Sequence, residues 1–349
     1  MVAPNQRLLV DIAAEVMADE FSWSQVSGPA VELLGAETLQ INVSVPADAP
    51  ADEVVTLRLS ATRNGVTLDA DLSIVILEAV FEDVLPMISD PAQLGTTEGV
   101  AFDATGLWVS NSEGFVSRFS ADGAFIQRYD VPGQPAGLYY RDETMFVANR
   151  EGTGRVDVLN TVGGSVSTLF DGAGTGVSNI LATGNDEFYE LYVSTGADGT
   201  VLRYHSQLDD TNTFLSDASV VGPHALAFGP EGNTIYVGGQ GHVWRVALTD
   251  DGVAGTVEDY LPLPDETCDV SGLVFDEGAN LWVGCSNTST LYLAHYAVMP
   301  PAELSRTFSG VGGRFVGLTF GRDDFADDTL YYANQADGTV GRLHVGLRG

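Results

Sequence analysis

The sequence predicts an all-β chain of 349 residues: a six-bladed β-propeller over residues 80–349, preceded by a small β-sandwich over residues 1–79. Three observations carry this. A short apolar run recurs six times at intervals close to 45 residues. Each recurrence is followed by a turn rich in Asp, Gly and Asn, then by second and third strand-like runs. The first 79 residues lack that period and instead alternate apolar and polar side chains. A repeat of about 40–50 residues with several strands per unit signals a propeller. Alternation signals sheets with one buried face.

In the first segment the strand candidates are Leu8–Ile12, Phe21–Val26, Leu39–Val43, Val54–Leu59 and Leu72–Ile76, separated by turn clusters such as Ser27-Gly-Pro and Arg63-Asn-Gly. The stretch Phe21-Ser-Trp-Ser-Gln-Val-Ser-Gly-Pro-Ala-Val-Glu-Leu resembles the Trp-x-Gln-x-Ser-Gly-Pro signature of PKD and related modules of bacterial surface proteins. The resemblance implies an immunoglobulin-like β-sandwich acting as a spacer, with Trp23 in its core. Residues 77–82 form a short apolar junction with no Gly, Pro or Ser, unlike a flexible linker.

The six first runs are Glu98–Phe102, Ala136–Tyr140, Asn179–Thr183, His224–Phe228, Ser271–Phe275 and Val316–Phe320, with starts 38, 43, 45, 47 and 45 residues apart. The second runs are Leu107–Asn111, Met145–Asn149, Leu191–Thr195, Ile235–Gly239, Leu281–Cys285 and Leu330–Asn334. The third runs begin at Phe115, Val156, Val201, Val243, Leu291 and Val340. β-Branched and aromatic residues between Gly and Asp clusters favour strands. Five units continue into a fourth strand, such as Phe125–Tyr129 or Ser165–Leu169. The sixth stops after its third, so residues 83–88, ahead of the first unit, are expected to supply its outer strand and close the ring. Trp108, Tyr139, Tyr140, Trp282 and Tyr331 fall in strands and are expected to pack between blades.

Composition narrows the function. Net charge is −33, and all 15 basic residues are Arg. Such a surface repels nucleic acid and acidic membranes, and suits divalent cations or saline surroundings. No apolar run approaches the roughly 18 residues of a membrane span. No secretory signal is present. The sandwich module and the cysteine pair nonetheless favour an extracytoplasmic location (secreted, periplasmic or cell surface), with any leader outside this sequence. Cys268 precedes the first strand of the fifth unit and Cys285 ends its second, which permits a disulfide; two buried thiols are the alternative. Two cysteines without further Cys or His partners do not complete a metal site.

In a propeller the residues opening each innermost strand ring one mouth of the central channel. Here they are Glu98, Ala136, Asn179, His224, Ser271 and Val316, joined by the second-strand ends Asn111, Asn149, Thr195, Gly239, Cys285 and Asn334. Polar groups from four blades meeting on one axis make this face the candidate site. Asn111, Asn149 and Asn334 are also natural turn caps. Arg150 suits either a carboxylate clamp or a surface ion pair.

Thr97-Glu-Gly-Val-Ala-Phe and the stretch Asp269–Cys285 resemble the first and fifth blades of the senescence-marker-protein/gluconolactonase family, and much of the pattern is shared with NHL-repeat propellers. The resemblance spans residues 83–349. It implies hydrolysis of lactones and related esters, with a divalent metal, often calcium, held by a Glu, an Asn and an Asp, and a further Asn near the substrate. Glu98 matches the Glu and Asn179 the third-blade Asn. His224 stands in place of the metal-binding Asn, and Ser271 in place of the Asp, with Asp269 two residues away. The expected ligand set is therefore Glu98, Asn179 and His224, for calcium first and, given the imidazole, zinc second. His224 and Asp269 are the candidate catalytic residues, since His titrates near neutrality. Asn149, Arg150, Asn179 and Ser271 are the candidate substrate contacts. Two readings stand: a surface protein that binds a small-molecule ligand or a cell-surface partner at the channel mouth, and a metal-dependent lactonase or esterase. No nucleophile elbow, phosphate loop or haem motif supports a third.

Overall fold

The computed structural model describes residues 7–11, 18–46, 49, 53–76, 78–184, 188–249, 252–295, 301–302, 304–309, 313–321 and 329–348. Those residues form 30 strands and one short helix, and they divide into two compact units, the second of which begins at Asp83.

The first unit is two three-stranded sheets. One orders Arg7–Asp11, Gln40–Ser44 and Glu32–Leu34; the other orders Glu20–Ser27, Val54–Arg63 and Val66–Val75. Alternation along the strands turns Val55, Leu57 and Leu59 inward to meet Ile41 and Val43 of the opposing sheet. Trp23 lies in this core, and its indole N–H donates to the Thr38 carbonyl at 3.0 Å. The motif around it has a local cause. The Gln25 carboxamide donates to the carbonyls of Ser27, Gly28 and Pro29 and accepts from the Val31 N–H, so it holds the Ser-Gly-Pro turn. Asn64 and Gly65, both at positive φ, make the two-residue turn that sets Arg63 opposite Val66.

The second unit holds six four-stranded antiparallel sheets. Their innermost strands are Thr97–Phe102, Pro135–Arg141, Val177–Gly184, Ala225–Phe228, Val270–Phe275 and Phe315–Phe320. Each packs beside the next, and the sixth packs beside the first, which closes a ring. As the sequence predicts, the sixth sheet takes its outer strand, Glu78–Ile88, from ahead of the first sheet. The second strands are covered on both faces: Leu107–Asn111, Thr234–Gly238, Leu281–Cys285 and Thr329–Asn334 are buried at every position. Double burial explains their continuous apolar runs. Trp108 and Trp282 are fully buried between sheets, and Phe102 meets Tyr331 edge-on at 5.0 Å across the junction of the sixth and first sheets. Tyr139 and Tyr140 pack against neighbouring sheets and also face the central cavity. The innermost strands approach closely near the axis. A Cβ on Gly137 would stand 2.6 Å from the Asn179 Cα, so only glycine fits there. Cys268 and Cys285 are joined as a buried disulfide, which settles the two alternatives for the pair.

Candidate functional site

The mouth residues owe their orientation to bulges. In five of the six innermost strands the register with the second strand slips at the channel end: between Thr97 and Gly99, Pro135 and Leu138, Val177 and Ile180, Val270 and Gly272, and Phe315 and Leu318. A bulge leaves the extra residue unpaired and re-aims its side chain. The residues so released include Glu98, Asn179 and Ser271. All three line a cavity of about 890 Å³ at the hub, together with Arg150, His224 and Asp269. Deeper in, the wall turns apolar, with Val100, Leu138, Ile180 and Leu226.

His224 is the best-oriented group. Its Nδ1 lies 2.5 Å from Asp269 Oδ1. The Ser194 hydroxyl donates to the His224 carbonyl at 2.9 Å, and the His224 N–H donates to the Gly238 carbonyl at 2.8 Å. The ring leans on Gly196, where a Cβ would fall 1.9 Å from Nε2. Nε2 itself has no hydrogen-bond partner among the described residues. Asp269 is fixed in turn: Ser286 Oγ donates to its Oδ2 at 3.0 Å, and its N–H donates to Asn287 Oδ1 at 2.8 Å. Burial pushes the Asp269 carboxyl up. The hydrogen bond and charge of His224, the Ser286 hydroxyl and the Arg150 charge together outweigh that and hold it below the ordinary carboxylate range.

Glu98 and Arg150 form the second pair. Arg150 Nη1 donates to Glu98 Oε2 at 2.8 Å, and Gln335 Nε2 donates to Glu98 Oε1 at 2.8 Å. Arg150 Nε is spent on the Val177 carbonyl at 3.0 Å. The Glu98 side chain is buried, whereas Arg150 keeps 31 % of its side-chain surface.

These contacts correct two expectations. Glu98 is not an open metal ligand: each of its oxygens already accepts a hydrogen bond, one of them from a guanidinium that would repel a divalent cation at the same carboxylate. Among the described residues no group of three His, Cys, Asp or Glu side chains is disposed to hold a metal. Glu98, Asn179 and His224 face one cavity, but with both Glu98 oxygens engaged the set as it stands offers calcium or zinc no open carboxylate. Asn149 is not a substrate contact. It is fully buried, its Oδ1 accepts from the Gln134 and Glu151 N–H groups, and its Nδ2 donates to the Pro132 carbonyl and to Asp157. Asn111 and Asn334 cap turns in the same way. Ser271 faces the cavity, but its hydroxyl donates to the Phe315 carbonyl at 2.5 Å. The Asn179 carboxamide has no hydrogen-bond partner among the described residues.

Gln240, Ser286 and Gln335 escape the sequence reading. With Arg150 and Gly196 they share a signal: each directly follows the last residue of a second apolar run in the sequence, and each lines the cavity. The strand-ending residue itself points between sheets.

The fold is that of a β-propeller protein with a ligand-sized cavity at the channel mouth, and gluconolactonase-like propeller proteins are among its structural neighbours. The regucalcin of Agrobacterium tumefaciens, described as a calcium-binding protein, aligns with a TM-score of 0.59 at 16 % identity, over 76 % of this chain and 96 % of its own. A gluconolactonase of Xanthomonas campestris aligns with a TM-score of 0.58 at 16 % identity, over 77 % of this chain and 97 % of its own. An auxiliary nutrient binding protein of Bacteroides thetaiotaomicron aligns with a TM-score of 0.59 at 13 % identity, over 99 % of this chain and 95 % of its own. At these identities the likeness concerns the fold. The sequence matches no protein-family profile and no curated protein.

Proposed function

We propose that the channel-mouth cavity binds a small, oxygen-rich ligand and hydrolyses it as a lactone or related ester, with His224 as general base. The observation that carries this reading is the 2.5 Å contact between His224 Nδ1 and Asp269 Oδ1. An ionised carboxylate only accepts, so Nδ1 is the donor, and in the neutral ring Nε2 keeps its lone pair. Nε2 takes a proton from water as the water oxygen bonds to the acyl carbon. The same proton passes to the ring oxygen as its bond to that carbon breaks, and a hydroxy acid leaves. Asp269 holds the tautomer and steadies the imidazolium. The gluconolactonase neighbour supports the choice of substrate class. A calcium or zinc ion has the calcium-binding neighbour in its favour and the occupied Glu98 against it, and the His224–Asp269 pair supplies the base without one.

The decisive experiment is a panel of γ- and δ-lactones that includes glucono-δ-lactone, assayed in chelator and again with added calcium or zinc. His224→Gln should lower kcat by about 10²–10⁴-fold while leaving ligand binding measurable. A wild-type protein that turns over nothing on the panel under any of these conditions would overturn the hydrolase reading. The second reading, binding without turnover, is favoured by the nutrient-binding neighbour, whose match extends over nearly the whole chain.

The buried disulfide supports an extracytoplasmic location, because such bonds persist in oxidising compartments. The first unit, two sheets around Trp23, is read as the immunoglobulin-like spacer of a cell-surface protein. A net charge of −33 speaks against nucleic acid and anionic membranes as partners. No described helix is long and apolar enough to cross a membrane.

A further inference from the structure

We infer that Arg150 is the cavity's resident cation: its guanidinium holds the Glu98 carboxylate in place of a metal ion and presents its remaining N–H groups to the carbonyl oxygen of the ligand. This deepens the hydrolase reading and rests on it for the second half of the statement. The first half stands on contacts alone. Glu98 is a buried carboxylate that needs a compensating charge. That charge comes from Arg150, 52 residues away in sequence, and the second oxygen is satisfied by Gln335, 237 residues away. The arrangement draws on the first, second and sixth sheets, and Arg150 Nε reaches the Val177 carbonyl on the third. A side chain pinned at Nε and Nη1 is stiff and well aimed.

What remains is Nη2. It makes no hydrogen bond among the described residues, and the Arg150 side chain keeps 31 % of its surface at a cavity it lines. Unsatisfied donors on an immobilised cation, lining the same cavity as the unengaged Asn179 carboxamide and the His224 ring, are what an acyl oxygen requires as it gains negative charge. The charge of Arg150 already reaches Asp269, whose carboxyl it helps to hold low, so the cation and the His224–Asp269 pair share one electrostatic environment. As the water oxygen bonds to the acyl carbon and its proton goes to His224 Nε2, the carbonyl electron pair moves onto oxygen. There Arg150 and Asn179 donate to it, and when the ring C–O bond breaks the pair returns to the carbonyl.

Two arms test this. Divalent binding to the wild-type protein is measured calorimetrically with calcium and by electron paramagnetic resonance with manganese, and this arm needs no turnover. Neither ion is expected to bind at millimolar concentration in a way that Glu98→Gln abolishes; a Glu98-dependent site in the wild type overturns the inference. In the second arm, on any lactone the wild type hydrolyses, Arg150→Gln should lower kcat by about 10²–10³-fold. Arg150→Ala should regain activity with millimolar guanidinium and not with calcium. Arg150→Lys, which keeps the charge and loses the planar fork, should fall between. A purely structural Arg150 would show no guanidinium rescue. Wild-type kcat retained in Arg150→Gln within about threefold, or rescue of Arg150→Ala by calcium in place of guanidinium, overturns the assignment. If the wild type hydrolyses no lactone, the catalytic reading falls and the metal arm still decides who compensates Glu98.

Discussion

Replacing both Cys268 and Cys285 by Ala should cost the propeller about 3 kcal/mol and loosen the site before the fold is lost. The two cysteines are 17 residues apart, and closing a loop of that size removes about 3 kcal/mol of unfolded-state entropy at room temperature. The bond is buried, and it links the loop ahead of Val270–Phe275 to the end of Leu281–Cys285. Its neighbours matter more for function. Asp269 follows Cys268, and Ser286, which donates to Asp269 Oδ2, follows Cys285. The disulfide therefore clamps the two segments that hold the carboxylate against His224. Urea unfolding followed through Trp108, Trp244 and Trp282 reads the propeller; a Trp23→Phe background removes the sandwich signal. The midpoint should fall with the slope unchanged, and lactone turnover should fall at urea concentrations where the fold persists. A loss under about 1 kcal/mol, with turnover and unfolding falling together, would show that strand pairing alone positions Asp269.

Gly196→Ala should displace His224, because the added carbon would sit 1.9 Å from the imidazole. Turnover should drop by an order of magnitude or more while the melting curve moves little, and equal activity would show that the ring has room to tilt. Asp269, whose carboxyl is held below its ordinary value, stabilises the fold above the unfolded value of about 4 and loses that contribution as pH falls through the folded value. Asp269→Asn should therefore flatten the acid limb of stability below pH 4. Its kcat should fall as well, since an amide facing Nδ1 no longer selects the tautomer that leaves Nε2 free. An unchanged acid limb would place the stabilising carboxylate elsewhere.

The fold was legible because it repeats. Six runs like Leu107–Asn111 and Leu281–Cys285, each buried on both faces, can satisfy that burial only by packing sheet on sheet, and the missing fourth strand of the last unit pointed to residues ahead of the first. The turn chemistry of Asn64 and Gly65 and the burial of Trp23 were equally local. The site was legible only to within one residue. Strand ends such as Asn149 and Cys285 look like rim positions, yet alternation along the strand turns them between sheets and hands the rim to Arg150 and Ser286. On the innermost strands the bulges supply the correction in the other direction, and there Glu98, Asn179 and Ser271 do face the channel.

What a sequence pattern cannot convey is which charge meets which. Glu98 in its Thr-Glu-Gly setting has the form of a metal ligand, and nothing nearby in sequence alters that form. Its character is decided by Arg150 and Gln335, brought to it by ring closure from the second and sixth sheets. The same residue type at the same place thus serves a different end once a guanidinium arrives first: the carboxylate becomes the anchor for a fixed organic cation. His224 shows the converse. As a lone imidazole at a strand start it suggests a ligand or a structural hydrogen bond. Asp269, one sheet further on, claims one ring nitrogen and leaves the other without a partner among the described residues, which is the form the proposed base requires. In a propeller of this kind the chemistry belongs to contacts between sheets, so each sheet supplies half of a pair whose meaning the next sheet completes.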